Sequence, residues 1–340
     1  MRALTSVLAT GLLAFCLLGS QDTQAQPRPY RITMLLYRGC EEACQGFQNY
    51  LRQQGVSVEY TLRDAAQDKQ KIPGFLQEIR QAPTKPDLVL SWGTTVTQMA
   101  AGSWKDAQRP LPSNLPLVFM VVSDPISAGI LERLDKPRPG LTGSLYLLPL
   151  ETQLKAARSY LDFHRLGYVL NPSEDNSIST LNELRALARS MNFTLEVQEL
   201  PLGPAGKPDA ARLSSLIDQL AQARVDLIYQ GPDSFLNSRR EQFTDAALAR
   251  GLPVFAAAEA PVQHARALFG VVNRYRDVER YTGALALNIL RDQMPAERIP
   301  VSLPRNFSYL INLPVALQLK RYPPLKLLDV AEMTGIDPRE

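Results

Sequence analysis

Nearly the whole of this chain alternates short β-rich apolar runs with stretches of helical spacing, and that order admits few folds. Arg31–Leu36 is a strand-like run, and Glu41–Gln53 follows with Phe47, Tyr50 and Leu51 on one helical face. Gly55 stops that helix. Val56–Tyr60 alternates as a strand, Ile72–Ile79 reads as a helix, and Asp87–Trp92 reads as a buried strand. Leu117–Val122 is apolar at every position. Uninterrupted apolar strands suit a parallel sheet covered on both faces, and repeated β-α-β order points to a doubly wound α/β sheet.

The pattern breaks near Lys136–Gly140 and then starts again. Helices are expected at Leu154–Leu161, Ile178–Met191, Arg212–Ala223 and Phe235–Arg250, with strands at Arg165–Leu170, Thr194–Leu200, Val225–Tyr229 and Leu252–Ala256. Two such halves in 340 residues predict two doubly wound parallel-sheet lobes with a cleft between them. Phe269–Val272, a helix at Val278–Leu290 and Phe307–Leu313 are expected to cross between the lobes. The expected division is 27–147 plus about 275–300 for lobe 1, and 148–274 plus about 301–340 for lobe 2.

Composition argues against several classes of partner. The chain is 45% hydrophobic and 21% charged, with a net charge of +3 and no basic run. Neither nucleic acid nor an anionic membrane is expected as a partner. At the N-terminus, Arg2 precedes an apolar stretch from Leu4 to Leu18, and Thr23-Gln24-Ala25 supplies small residues for signal-peptidase cleavage after Ala25. The apolar run is shorter than a spanning helix needs. Phe15 stands where a lipobox before Cys16 wants a small residue. A cleaved signal peptide over 1–25 and a periplasmic location are expected.

Removing the signal leaves two cysteines, Cys40 and Cys44. At the start of a helix their Cα atoms would stand about 6 Å apart, within reach of a disulfide, and an exported chain meets an oxidising compartment. A pair of half-buried thiols fits the same spacing. With only His164 and His264 in the chain, a Cys/His metal cluster is poorly supported, and neither metal nor cofactor is expected.

Ligands of open parallel sheets bind where strands end. The first half offers Tyr37 and Arg38, then Trp92, Gly93, Thr94 and Thr95, then Ser123 and Asp124. The second offers Asn171 and Asn176, Asp233, and Glu259. Gly93-Thr94-Thr95 combines a glycine that lets backbone approach closely with a helix N-terminus that favours an anion. A plain threonine cap explains the same spacing. Asp124 can meet an ammonium or cap its own Asp-Pro turn. Tyr37 and Trp92 can stack on a ring or fill core, and Arg38 can pair with an anion or lie in solvent. No G-x-S-x-G, Walker, H-E-x-x-H or G-x-G-x-x-G motif occurs, so no catalytic residue is assigned.

Several stretches taken together resemble the ABC-transporter substrate-binding family that includes tryptophan- and tyrosine-binding proteins. They are Trp92–Gln98, Val121–Gly129, Gly140–Gly143, Leu170–Ser173, Gly251–Phe255 and Asn306–Pro314. The resemblance implies a type I periplasmic-binding-protein fold with a hinge of about three crossing segments. It implies uptake of a small, often amino-acid-like solute and docking on an inner-membrane ABC permease. It also implies that Gly93, Thr94 and Thr95 hold a ligand carboxylate and that the Asp124 and Asn171 loops face the same cleft. Trp92 and the Tyr37-Arg38-Gly39-Cys40 loop depart from the family's pattern. A monomeric binding protein without enzymatic activity is expected. A sensor that presents its ligand to a signalling receptor is the main alternative, and a periplasmic enzyme is the remoter one.

Overall fold

A computed structural model describes residues 28–335, apart from 107–108, 137, 204–205 and 305. The expected signal peptide over 1–25 lies outside the described residues. Lobe 1 holds a five-stranded parallel sheet in the order β2-β1-β3-β4-β5. Its strands are β1 (Tyr30–Leu36), β2 (Val58–Asp64), β3 (Leu88–Trp92), β4 (Leu117–Val122) and β5 (Leu141–Leu145). The helices between them are α1 (Glu42–Gln53), α2 (Ile72–Gln81) and α3 (Thr94–Ala101). β3 and β4 are buried at every residue, as covered parallel strands require. α1 turns Ala43, Cys44, Phe47 and Leu51 onto the sheet.

Lobe 2 holds a seven-stranded sheet in the order β12-β11-β10-β9-β8-β6-β7. In chain order its elements are α4 (Leu150–Tyr160), β6 (Arg165–Leu170), α5 (Asp175–Ser190), β7 (Thr194–Glu199), α6 (Leu213–Gln222) and β8 (Leu227–Gln230). Then come α7 (Ser234–Ser238), α8 (Arg240–Leu248), β9 (Val254–Ala256), α9 (Glu259–Gln263) and β10 (Phe269–Val272). After β10 the chain returns to lobe 1 as α10 (Tyr275–Leu290), which packs on α1, β4 and β5. It re-enters lobe 2 as β11 (Ser308–Asn312), α11 (Leu313–Leu319), α12 (Leu325–Leu328) and β12 (Ala331–Thr334).

That late detour explains one departure from an all-parallel sheet. β11 pairs antiparallel with β10. The chain reaches β11 from lobe 1, so it enters the second sheet from the cleft side and runs the opposite way. A second departure is the stretch 235–250, which is two helices rather than one. Arg239 leaves helical geometry at φ −111°, ψ 22° and separates α7 from α8. α11, α12 and β12 have no counterpart in the sequence reading.

The crossings are stitched to lobe 1 by polar contacts. Thr142 Oγ1 donates to Ile299 O at 2.9 Å, Leu145 N donates to Ser302 O at 3.0 Å, and the Ser144 and Thr282 hydroxyls pair at 2.7 Å. β5 lies so close to β4 that only glycine fits at 143. A methyl carbon there would stand 2.5 Å from Phe119 O and 2.4 Å from the Phe119 ring. Gly143→Ala is therefore expected to cost about 1–3 kcal/mol by overpacking, seen as a lower urea midpoint with an unchanged slope. An unchanged midpoint would show that β4 and β5 can separate freely.

Candidate functional site

The carboxyl ends of the two sheets face each other and enclose two joined compartments. The inner one, of about 40 Å³, lies among Tyr37, Arg38, Trp92, Gly93, Thr94 and Ser123 of lobe 1 and Asn176, Gln230, Asp233 and Asn237 of lobe 2. Tyr146, on the crossing after β5, and Tyr275, the first residue of α10, also line it. The outer chamber, of about 310 Å³, is walled by apolar side chains such as Leu145, Leu147, Leu148 and Leu303. Thr94, Ser123, Asn176 and Pro232 line both compartments and form the waist between them.

Backbone geometry shapes the lobe 1 wall. Gly93 adopts φ +100°, a conformation that side chains disfavour, and leads directly into α3. No side chain caps α3, so its first-turn N–H groups have no partner inside the helix. Thr94 Oγ1 accepts from Ser123 N at 3.2 Å and joins the ends of β3 and β4. Val121 sits at φ +56°, beside an irregularity in the β4–β5 register. Such a conformation is strained for a β-branched residue and clusters at functional sites.

Arg38 connects the lobes. Its guanidinium pairs with Glu41 at 2.7 Å and lies 5.5 Å from the centre of the Trp92 ring. With its amide carbonyl turned inward, Asn237 of α7 accepts from both Nη1 and Nη2 of Arg38 at 2.8 Å. The cation is thus already engaged from both sides. The disulfide Cys40–Cys44, with Cα atoms 5.1 Å apart, ties the Arg38 loop to the first turn of α1.

The lobe 2 wall is organised by a carboxylate that the sequence reading did not single out. Glu174 is buried and accepts from Ser234 N at 2.9 Å, Phe235 N at 3.1 Å and Asn171 Nδ2 at 3.4 Å. Asp233 is 4% exposed; its Oδ1 caps α7 at Leu236 N, 2.6 Å away, and its Oδ2 has no partner. Gln230 Oε1 and Asn176 Oδ1 are buried without partners as well. Their amide nitrogens donate to Leu236 O and Pro232 O respectively, which fixes the oxygens as the unpaired atoms. Burial, and then the charge of Glu174, hold the Asp233 carboxyl well above the usual carboxylate range. Burial also raises Glu174, but three N–H donors favour its ionised form, so the shared proton resides on Asp233. The Tyr146 phenol is pushed up to about 12 by burial and stays neutral.

Of the sequence candidates, Tyr37, Arg38, Trp92, Gly93, Thr94, Ser123, Asn176 and Asp233 meet at the inner compartment. Asp124 lines the outer chamber, where its Oδ1 also caps its own turn at Ile126 N and Ser127 N. Thr95, Asn171 and Glu259 line neither compartment. Asn171 is occupied by Ser173 and Glu174. Glu259 accepts from Arg274 Nε at 2.7 Å and Tyr275 N at 2.6 Å, fixing the crossing into α10. His264 stands 3.7 Å from Glu42 on the opposite lobe, outside both compartments. Tyr146, Gln230, Asn237, Tyr275 and Glu174 were not singled out. The strand-end rule reaches Gln230, the last residue of β8; Glu174 depends on packing between two loops of lobe 2, and the others on packing between lobes.

A family model described as ABC transporter substrate binding protein matches residues 33–333. A tyrosine-binding protein of Clostridioides difficile is 24% identical over 276 residues, 80% of this chain and 74% of that protein. The structure of an ABC domain in complex with L-Trp from Streptococcus pneumonia aligns with TM-score 0.75 and 22% identity, covering 90% of this chain and 100% of the other. A conserved domain protein from Vibrio cholerae aligns with TM-score 0.76 and 22% identity, covering 91% and 100%. The fold is that of type I periplasmic binding proteins.

The raised Asp233 carboxyl makes a signed prediction for the empty protein. The unfolded chain releases this proton near the ordinary value of 3.8, whereas the folded chain holds it to higher pH. Stability is therefore lost as pH rises above about 4. Asp233→Asn is expected to raise the unfolding temperature of ligand-free protein at pH 8, with the gain fading toward pH 4. A gain equal at both pH values would assign the effect to packing instead.

Proposed function

This chain belongs to the ABC transporter substrate-binding protein family, and from that premise we propose that it captures a small ammonium-bearing solute between its lobes for an ABC importer. The inner compartment carries the reading. It gathers the unpartnered oxygens of Asn176, Gln230 and Asp233 on one wall and the uncapped start of α3 on the other. Buried acceptors left without partners cost stability until a ligand supplies donors.

In this reading the solute's ammonium meets Asp233, and the solute takes over the role of the Asp233 proton. Where the solute also carries a carboxylate beside that ammonium, the first turn of α3 can receive it, since helix N–H groups favour an anion. Arg38 acts as a latch between lobes, since Glu41, Trp92 and Asn237 already hold its charge. A solute that touches both walls stabilises the closed form over the open one, which is all that hinge closure requires. The hinge is proposed at the crossings near 147, 275 and 300. The C. difficile relative is a tyrosine-binding protein and the S. pneumonia structure holds L-Trp, which favours an amino-acid-like solute here. Residues 1–25 are proposed to be removed on export. The mature protein would then work in the periplasm as a monomer, without chemistry of its own, delivering solute to a permease.

The first test is thermal unfolding of ligand-stripped protein against amino acids, aromatic acids and small polar metabolites. Saturation at 100 times the dissociation constant stabilises by about 2.7 kcal/mol, and a shift confined to ammonium-bearing solutes is expected. Silence from the whole set, in folded and empty protein, counts against the reading. Titration calorimetry in buffers of different ionisation enthalpy then tests the role of Asp233. Binding should release a proton and tighten as pH rises, and a heat independent of buffer would remove the ammonium from Asp233.

A further inference from the structure

The outer chamber is larger than the inner compartment, and its lining has a one-sided charge. Its walls are largely apolar, and its lining carboxylates, Asp124, Asp175 and Glu183, are solvent-exposed and so mark its open side, the mouth. Among the described residues its lining includes no Lys, Arg or His. The three carboxylates come from opposite lobes: Asp124 follows β4, and Asp175 and Glu183 lie on α5.

Closing the lobes therefore brings like charges toward one another across the mouth, which opposes closure unless something positive stands between them. Glu183 registers this. Its carboxyl is raised by partial burial and then by the charge of Asp124. At the other end, the chamber opens through the waist onto Gln230 and Asp233, residues 2% and 4% exposed, each with an acceptor lacking a partner. The cleft thus runs from buried acceptors, along an apolar passage, to an anionic mouth.

We propose that this chamber is a subsite for an apolar segment of the solute whose far end carries a positive charge. The inference rests on the reading of the inner compartment as an ammonium site and extends it to the solute's other end. The solute class is a linear or ring-bearing apolar body with an ammonium, alone or beside a carboxylate, at its inner end and a cation at its far end. Aliphatic contact with the chamber walls supplies affinity, and the distal cation turns repulsion across the mouth into attraction.

A matched series tests the distal charge: 1,8-diaminooctane, octylamine and 8-aminooctanoate share one chain and one ammonium and differ only at the far end. Binding to ligand-stripped protein is expected to weaken in that order, by roughly five-fold per step, with the differences shrinking in high salt. In Glu183→Gln, and further in Glu183→Gln with Asp175→Asn, the ratio of diamine to monoamine affinity should collapse toward one. Circular dichroism of the variants confirms their folding.

Equal binding of all three compounds, or tighter binding of 8-aminooctanoate, would overturn the assignment, as would a ratio unaffected by the variants. If a solute from the broader set binds while none of the three does, the chamber assignment fails and the binding function stands. Silence from every compound overturns both.

Discussion

Much of the site hangs on one buried carboxylate. Glu174 accepts from the backbone of Ser234 and Phe235, and so ties the loop after β6 to the loop after β8. An unpaired charge at that depth would be prohibitive, so its donors must stay in place. Holding them fixes the start of α7, which sets Asp233 as its cap and Asn237 toward Arg38. Burial raises the Asp233 carboxyl first and the charge of Glu174 raises it further, because two carboxylates in one buried wall do not both ionise cheaply. One residue thereby governs the shape of the lobe 2 wall, its electrostatics, and its reach across the cleft.

The opposite wall depends on the chain's backbone more than on its charges. β3 and β4 end in residues of positive φ, Gly93 directly after β3 and Val121 one residue before β4 ends. Each bends backbone away from the sheet at the point where it meets the cleft. The glycine adopts its conformation easily, whereas the valine is held there by surrounding packing, which includes Met120 and Tyr146 in the same core. The uncapped N–H groups at the start of α3 make this wall of lobe 1 a donor-rich surface facing an acceptor-rich one.

The architecture was legible because its signals are local. Apolar runs such as Leu117–Val122 and helix faces such as Phe47, Tyr50 and Leu51 follow from burial on one or both sides. The rule that ligands meet strand ends led to eight residues of the inner compartment. What stayed hidden depends on distant chain. Asn237 looked like interior helix because the break at Arg239 leaves no Gly or Pro behind. Tyr146 and Tyr275 belong to crossings, whose course is set by how two lobes stack. Glu174 sits in a stretch of polar residues, Ser173 to Ser177, where nothing local distinguishes the buried carboxylate from exposed Asp175 beside it. The strand β11 reads as an ordinary strand, yet its direction follows from a detour through the other lobe.

The division of charge between the compartments sets what the cleft can accept. Arg38, the inner compartment's cation, is matched by Glu41 and Asn237 before any solute arrives. A carboxylate there must rely on the α3 helix start, a partial charge at best. The negative groups are placed differently. In the proposed function Asp233 gives up its proton to an ammonium, and the carboxylates at the chamber mouth have no basic neighbour among the described lining residues. Anionic solutes would add to charge already crowded as the lobes close, while cationic ones relieve it. Closure and charge selection are then one process: the solute that best neutralises the facing lobes is also the one that keeps them shut.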